Sequence, residues 1–240
     1  KRFNFVYEGA FPASVTPTQG MAIYGNYCVQ GSSTESNGKT KAELIDLSTR
    51  TSIANLLLEH TGYDAIHCNV MCFGVEIPTN GIMPALYASQ WDGQTCCFVY
   101  DIKTTGATLL QVIDPSQLTK NGTTFGIGYV DWVVDTDHKW LFALSYTQAG
   151  YSGGLIVTKF NLPLLSAGSL VQLTDADIIS SNYIGEYVIR QDACYNGNKL
   201  FLLYGSPNGY TSQQYIHVID VFSLNEVSTL PMLFATTEPE

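Results

Sequence analysis

The residues of this sequence that could do chemistry are polar side chains at the starts of short apolar segments. Together they supply amide, imidazole and carboxylate groups, which can hydrogen-bond a sugar or another polar ligand. The alternative is that they only satisfy strand ends and ordered water, as buried polar groups must. We predict a ligand site formed by Gln19, His67, Asn69, Asp131, Gln191 and Glu238.

Catalysis at such a site would need two carboxyl groups about 5 to 10 Å apart, as in glycoside hydrolysis. Asp64, Asp131, Asp192 and Glu238 could approach one another at one rim. In a carbohydrate-active hydrolase or lyase, two of Asp64, Asp131 and Glu238 would act as acid and base. None of these residues lies in a recognisable catalytic motif, and amides outnumber carboxylates at the segment starts. We therefore predict binding without catalytic residues or a cofactor, and keep the enzyme as the alternative.

The cysteines raise the question of a metal site, because thiolates and imidazole are ligands that zinc prefers. Cys68 and Cys72 follow His67 closely. In one extended strand Cys68 and Cys72 would be about 13 Å apart, too far to chelate one ion. We therefore predict no metal site and interpret the cysteines as small buried hydrophobic residues. A disulfide from Cys68 or Cys72 to Cys96 or Cys97 is the alternative.

The charge of the chain argues against two classes of partner. Eleven Lys plus Arg stand against 21 Asp plus Glu, a net charge of −10 at pH 7. No basic run could neutralise phosphates, so we expect no nucleic-acid partner. No stretch approaches the roughly 18 apolar residues that span a bilayer, so we expect no membrane insertion. The many Tyr, Gly, Ser, Thr and Asn residues and the few Lys predict an extracytoplasmic location: periplasmic, cell-surface or secreted.

The elements that would position the polar residues are repeated along the chain. QGMAIYGNYC from Gln19 and QDACYNGNKL from Gln191 share a leading Gln, an Ala and a Gly-Asn pair. DWVVDTDHKWL from Asp131 aligns with both, and HCNVMCFGVEIPTNGIMPALYASQ from His67 supplies a fourth copy with a longer turn. Each copy predicts a hairpin of two strands.

A second repeated position supports the same period of about 58 residues. An Asp or Asn precedes a polar turn in ELIDLST, FVYDIKTTG, VTKFNLP and HVIDVFS. One more apolar segment follows each of them: SIANLLL, ATLLQVI, SLVQL and EVSTLPM. AELIDLSTRTSIANLLLEH has loose helical spacing, but its alignment with VYDIKTT, where Tyr, Val and Thr favour strands, decides for β-structure. Each unit is therefore predicted to hold four strands.

Four-stranded units at this period predict an all-β fold, a β-propeller with four visible blades. One sheet cannot bury both of its faces, so each blade stacks against its neighbours around an axis. We predict a single domain, 1–240, with units at about 19–58, 66–114, 129–174 and 188–233. A strand at 3–9 would complete another blade. The blades form either a whole ring or part of a five- or six-bladed ring.

The predicted fold brings the starts of the innermost strands to one mouth of the central channel. The polar residues named first would therefore surround that mouth. Aromatic side chains close to the same strand ends could provide stacking surfaces. These aromatic residues are Tyr24, Tyr63, Tyr129, Trp132 and Tyr187.

The chain resembles secreted bacterial β-propellers of the TolB-like or BNR-like type, many of them without an assigned function. The resemblance lies in Gln19-Gly20, His67-x-Asn69, the strand VYDIKTTG and the closing EPE. The chain lacks the Ser-x-Asp-x-Gly-x-Thr-Trp motif of sialidases and the regular Trp-Asp dipeptide of WD40 repeats. The resemblance implies a fold rather than an activity.

We therefore predict a non-catalytic, exported β-propeller that binds its partner at one rim of the channel. The predicted partner is a polar small molecule or glycan, or another protein. Two carboxyl groups facing each other in an open funnel would favour the hydrolase or lyase instead.

Overall fold

The fold is all-β, as the sequence predicts. The computed structural model describes residues 20–35, 39–59, 68–89, 95–119, 130–146, 154–186, 190–204 and 214–232. Within these residues the chain forms seventeen strands and two short 3-10 helices, Leu165–Ala167 and Asp175–Asp177. No helix in these ranges has the length and hydropathy of a membrane-spanning segment. The segments predicted around residues 3–9 and 238 lie outside the described residues.

The strands form four sheets in a propeller arrangement, which we call blades 1 to 4. Blade 1 consists of β1 (Met21–Tyr24), β2 (Tyr27–Glu35), β3 (Lys39–Asp46) and β4 (Thr51–Glu59). Blade 2 contains β5 (Met71–Phe73), β6 (Leu86–Ser89), β7 (Cys97–Lys103) and β8 (Gly106–Gln117). In both blades consecutive strands pair antiparallel. AELIDLSTRTSIANLLLEH accordingly contains two strands, β3 and β4, and no helix in its described part.

Blades 3 and 4 follow the same plan. Blade 3 consists of β9 (Val130–Asp135), β10 (Trp140–Tyr146), β11 (Gly154–Asn161) and β13 (Ile178–Glu186). Blade 4 consists of β14 (Arg190–Asn196), β15 (Lys199–Tyr204), β16 (Gln214–Asp220) and β17 (Glu226–Met232). The lowest-numbered strand of each blade is an edge strand of its sheet, and these four edges are the inner strands of the propeller.

The repeated Gly-Asn pairs form the turns of the inner hairpins. Gly25 connects β1 to β2 with a φ of +57°, and Gly197 connects β14 to β15 with a φ of +55°. Two-residue hairpin loops of this kind require positive φ, which glycine adopts without steric cost. The prediction that each copy of the first repeat forms an inner hairpin is confirmed for both pairs.

The second repeated position lies in the third strand of every blade, at Asp46, Asp101, Asn161 and Asp220. The Asp46 carboxylate accepts a hydrogen bond from the backbone N–H of Ser48 at 2.8 Å. The Asp220 carboxylate accepts hydrogen bonds from Phe222 N–H at 3.1 Å and Ser223 N–H at 2.9 Å. These two residues therefore close their strands with turns, which explains why the position recurs.

One predicted strand belongs to a different blade. SLVQL is predicted as the fourth strand of the third unit, but β12 (Leu170–Thr174) pairs in parallel with β8 of blade 2. The fourth strand of blade 3 is β13, which pairs antiparallel with β11. The Gln111 side chain of β8 donates hydrogen bonds to the carbonyls of Leu164 at 3.0 Å and Gly168 at 2.9 Å. The assignment of SLVQL is wrong because an apolar run predicts a strand without naming its partner.

Three buried apolar clusters hold consecutive blades together. Leu56 and Phe98 belong to the cluster between blades 1 and 2. In β10, Leu141 enters the cluster between blades 2 and 3, whereas its neighbour Phe142 enters the cluster between blades 3 and 4. Successive side chains of a strand point to opposite faces, so one strand serves two interfaces. This arrangement buries both faces of the middle blades.

The inner strands pack in chain order around the channel, β1 beside β5, β5 beside β9 and β9 beside β14. Gly20, just before β1, donates its N–H to the carbonyl of Cys68 at 2.9 Å. A Cβ atom at Gly20 would lie 2.6 Å from the backbone oxygen of Asn69. Only glycine fits this approach of two backbones, which explains the Gly that follows Gln19.

Candidate functional site

The structure describes only part of the predicted polar ring. Gln19, Asp64, His67 and Glu238 lie outside the described residues, and so do Tyr63, Tyr129 and Tyr187. The backbone of Gln191 belongs to β14, at a register shift between Arg190 and Asp192. Asn69 and Asp131 are the two members of the ring whose side chains are described.

Asn69 and Asp131 are both buried, with 5% and 3% of their surfaces exposed. The Oδ1 atom of Asn69 is buried and accepts no hydrogen bond from the described part of the chain. Asp131 lies in β9, opposite Leu144 of β10. Neither residue is among the described residues that line the channel cavity presented below.

Trp132 belongs to the core, so its prediction as a stacking surface is wrong. It is fully buried in the cluster between blades 2 and 3. Its backbone N–H donates to the Ser89 hydroxyl at 2.8 Å, and its indole N–H donates to the Thr95 carbonyl at 2.9 Å. The alternation of β9 turns this ring away from the channel and into the neighbouring blade.

A cavity of about 720 Å³ opens among the four inner strands, and we call it the channel cavity. Its described walls include residues from the ends of the inner strands and from the turns that follow them, such as Tyr24, Gly74, Thr136 and Tyr195. The sequence analysis placed the site at the strand starts. The channel cavity extends from the starts of β1 and β5, at Met21 and Met71, to the turns that follow these strands.

The walls of the channel cavity are mostly apolar. Met21 and Ile23 of β1 are 48% and 56% exposed, and Tyr24 is 41% exposed. The ring of Tyr24 lies 5.9 Å from the ring of Phe73, centroid to centroid, with the planes tilted by 54°. Large apolar side chains left accessible in a concave site provide a surface for an apolar ligand.

Asp192 supplies the only carboxyl group among the described lining residues. It is partly buried, and its Oδ1 atom accepts a hydrogen bond from the N–H of Ala193 at 2.7 Å. The pKa of Asp192 is raised to about 7, mainly by burial and also by the negative charge of Asp131, while the hydrogen bond from Ala193 acts in the opposite direction. Near neutral pH the carboxyl group therefore exists in both forms, able to donate or to accept a hydrogen bond.

Cys72 contributes a neutral thiol to the cavity wall. Its sulfur accepts a hydrogen bond from Val134 N–H at 3.3 Å, and its S–H donates to the Trp132 carbonyl at 3.8 Å. Burial raises the pKa of Cys72 to about 12, so the thiol stays protonated at neutral pH. A protonated, hydrogen-bonded thiol is neither a nucleophile nor a metal ligand.

The six cysteines all lie within the described residues, and none of them forms a disulfide. Cys96 and Cys97 enter different buried clusters, as residues on opposite faces of a strand should. Among the described residues, no group of three or more His, Cys, Asp and Glu side chains is placed to hold a metal ion. Cys28, Cys68, Cys96 and Cys97 are buried as small core residues, as the sequence analysis prefers. Cys72 is half-buried and Cys194 is exposed, so that interpretation is wrong for Cys194.

The sequence analysis named Asp192 as a candidate carboxyl group but missed the apolar walls. Met21 and Ile23 alternate with the buried Ala22, as residues of any strand do. Nothing in this pattern distinguishes a face that meets a neighbouring blade from a face that meets a cavity.

No protein-family model matches the chain, and no curated protein matches it. The chain is similar in fold to Kuenenia stuttgartiensis hydrazine synthase, with 11% identity and a TM-score of 0.49 over 95% of this chain. A chain of the nidogen/laminin complex has 13% identity and a TM-score of 0.48 over 88% of this chain. The computationally designed Ika4 protein has 11% identity and a TM-score of 0.40 over 88% of this chain.

The matched proteins differ in length from this chain. It spans 53% of the hydrazine synthase chain and 62% of the nidogen/laminin chain, but 96% of Ika4. At these identities the similarity concerns the β-propeller fold alone. The comparisons assign no narrower family, so the TolB-like or BNR-like resemblance stays a prediction.

Proposed function

We propose that this protein binds a small molecule in the channel cavity and does not convert it. The observation that carries the proposal is a cavity of about 720 Å³ with mostly apolar walls and one carboxyl group. Ligand sites typically have volumes of about 300 to 1,000 Å³ and few polar groups on apolar walls. The ligand would therefore combine an apolar part with one polar group.

The apolar part of the ligand would pack against Met21, Ile23 and Tyr24, whose side chains are largely exposed. Covering exposed apolar surface contributes about 25 cal/mol per Å². The tilted rings of Tyr24 and Phe73 also offer a surface on which a sugar or aromatic ring can pack. The polar group of the ligand would meet Asp192, because a hydrogen bond there offsets the burial of its carboxyl group.

The other expectations from the sequence accompany this proposal as predictions. They include a glycan or protein partner, an extracytoplasmic location and kinship with TolB-like or BNR-like propellers. The ligand proposed here is more apolar than the polar ring alone suggests, because Met21 and Ile23 line the cavity.

The variant Ile23→Trp tests the proposal by filling the cavity. Leu57→Trp is the matched control, because Leu57 is 45% exposed in β4 of the same blade and is not among the described lining residues. We would titrate the wild type with a panel of mono- and oligosaccharides and small aromatic compounds, by NMR. We expect binding to the wild type and Leu57→Trp, and at least tenfold weaker binding to Ile23→Trp.

Two results would overturn the proposal. The first is that no compound of the panel shifts resonances of the lining residues at millimolar concentration. The second is that every bound compound binds Ile23→Trp as tightly as the wild type, which would move the site elsewhere on the protein.

Hydrolysis of a carbohydrate is a second candidate function, because Asp131 and Asp192 are close enough for the charge of one to raise the pKa of the other. A carboxyl group with a pKa of about 7 can act as a general acid near neutral pH. Aryl glycosides would reveal such an activity by release of the phenol. Loss of that release in both Asp131→Asn and Asp192→Asn would favour the enzyme, and turnover unchanged in both variants would exclude this pair.

A further inference from the structure

The charges around the channel cavity favour a cation. Its described lining contains Asp192 and no Lys, Arg or His. Asp131 acts on Asp192 with a second negative charge. The chain as a whole carries a net charge of −10, which attracts cations over longer distances.

The apolar walls offer groups that attract a cation without neutralising it. The half-exposed Tyr24 ring lies in the cavity wall against the mostly buried Phe73 ring, and aromatic faces carry negative potential. Met21, 48% exposed, adds a polarizable thioether side chain to the same wall. A cation with an apolar substituent would thus find favourable contacts for both of its parts.

The Asp192 carboxylate is poorly solvated among these walls. Its Oδ1 atom receives the Ala193 N–H, a neutral donor that leaves the charge uncompensated. A partly buried carboxylate whose donor is neutral retains part of its desolvation cost, and a cation placed beside it removes much of that cost. A neutral ligand would leave this charge uncompensated.

From these three observations, and resting on the ligand binding proposed above, we infer that the channel cavity binds an organic ammonium ion. Its nitrogen pairs with the Asp192 carboxylate, and its apolar part packs against Met21, Ile23 and Tyr24. An amine with an aromatic or branched aliphatic group has this chemistry.

Because the ammonium ion pairs with Asp192, its affinity depends on whether that carboxyl group is protonated. Asp192 must lose its proton to pair with ammonium, so affinity rises with pH up to about 7, the pKa of Asp192 in the free protein. Among the described residues, the titratable groups that interact with Asp192 are the Asp131 carboxyl of β9, the Cys72 thiol of β5 and the Cys194 thiol of β14. Burial raises the pKa of both thiols above the range tested, so a pH dependence between pH 5.5 and 8 reports the carboxyl groups.

Calorimetry with three probes of one shape tests the inference: phenethylamine, phenylethanol and phenylacetate. At pH 8 we expect the amine to bind at least tenfold more tightly than the alcohol, and the acid to bind most weakly. Between pH 8 and pH 5.5 the affinity for the amine should fall about 30-fold, as one group with a pKa near 7 predicts. The affinity for the alcohol should change little.

Two variants of equal net charge distinguish binding of the amine in the channel cavity from its general attraction to the negatively charged protein. Asp192→Asn should lose the preference for the amine. Asp114→Asn should keep it, because Asp114 binds Ser116 on β8, away from the described lining. If Asp192→Asn does not fold, proton release on binding of the amine to the wild type at pH 6.5, measured in buffers of different ionisation enthalpy, gives the same answer.

The outcomes distinguish this inference from the function on which it rests. Equal, pH-independent binding of amine and alcohol, sensitive to Ile23→Trp, would overturn the inference and leave ligand binding intact. Tightest binding of phenylacetate would overturn it as well. Failure of all three probes and of the carbohydrate panel would overturn both.

Discussion

Asp192 illustrates how the surroundings of one residue change its chemistry. It lies among apolar side chains, and desolvation raises its pKa to about 7. Asp220 shows the opposite case, because hydrogen bonds from Lys199 and from the N–H groups of Ser223 and Phe222 hold its pKa well below the usual range. The pKa values of these two aspartates of blade 4 are therefore shifted in opposite directions.

At the residue scale we predict that Asp192 lowers the stability of the protein as the pH rises. Its pKa is higher in the folded protein than in the unfolded chain, where it is about 3.9. Between about pH 4 and pH 7 the folded state thus holds more of this proton, and its contribution to the free energy of unfolding falls as pH increases. Asp192→Asn should remove this contribution. The free energy of unfolding of the variant should therefore increase relative to that of the wild type from pH 4.5 to pH 7.5.

Urea unfolding at several pH values measures this effect. Asp114→Asn is the control, because it removes the same charge at a position outside the described cavity lining. A difference between Asp192→Asn and the wild type that does not change with pH would show that Asp192 has an ordinary pKa in the folded protein.

At the scale of the elements, β10 and β15 each serve as the second strand of a blade and carry buried leucines. Leu141 packs between blades 2 and 3, and Leu202 packs between blades 3 and 4. Both side chains are fully buried. The repeat predicts a second strand at both places, because Lys139-Trp140-Leu141 aligns with Lys199-Leu200-Phe201.

We predict that Leu141→Ala and Leu202→Ala each lower the free energy of unfolding by roughly 2 to 5 kcal/mol, because each leaves a cavity between two blades. Leu164→Ala serves as the control, since Leu164 is 56% exposed, and should cost less than about 1 kcal/mol. Denaturant unfolding gives all three values. A cost below about 1 kcal/mol at both buried positions would contradict the assignment of these strands.

At the scale of the whole molecule, the three buried clusters link the four blades in series. Parallel pairing of β12 with β8 adds a second connection, because the chain leaves blade 3, extends blade 2 and returns. A blade in such an arrangement cannot unfold without exposing the core of its neighbour.

We therefore predict that a substitution that weakens the packing between blades 1 and 2 also lowers the stability of blade 3. Leu56→Ala weakens the first interface, whereas Trp132 and Trp140 both lie in blade 3. Trp91→Phe is introduced into both proteins compared, so that the fluorescence comes from these two residues alone. The variant should lower the unfolding midpoints measured by tryptophan fluorescence and by far-UV circular dichroism by the same amount. If the midpoint from circular dichroism falls while the midpoint from tryptophan fluorescence stays unchanged, the blades unfold independently.

The strands, the inner hairpins and the all-β propeller could be predicted from the amino-acid sequence, because these follow from local patterns. Alternating apolar residues, Gly-Asn turns and the recurring Asp46 and Asp220 act over a few positions and repeat with the blades. The tertiary structure decided which faces meet. Only in the folded protein does β12 pair with blade 2, Trp132 lie in the core and Ile23 line a cavity. The burial of each side chain depends on the neighbouring blade and not on the residue's own strand.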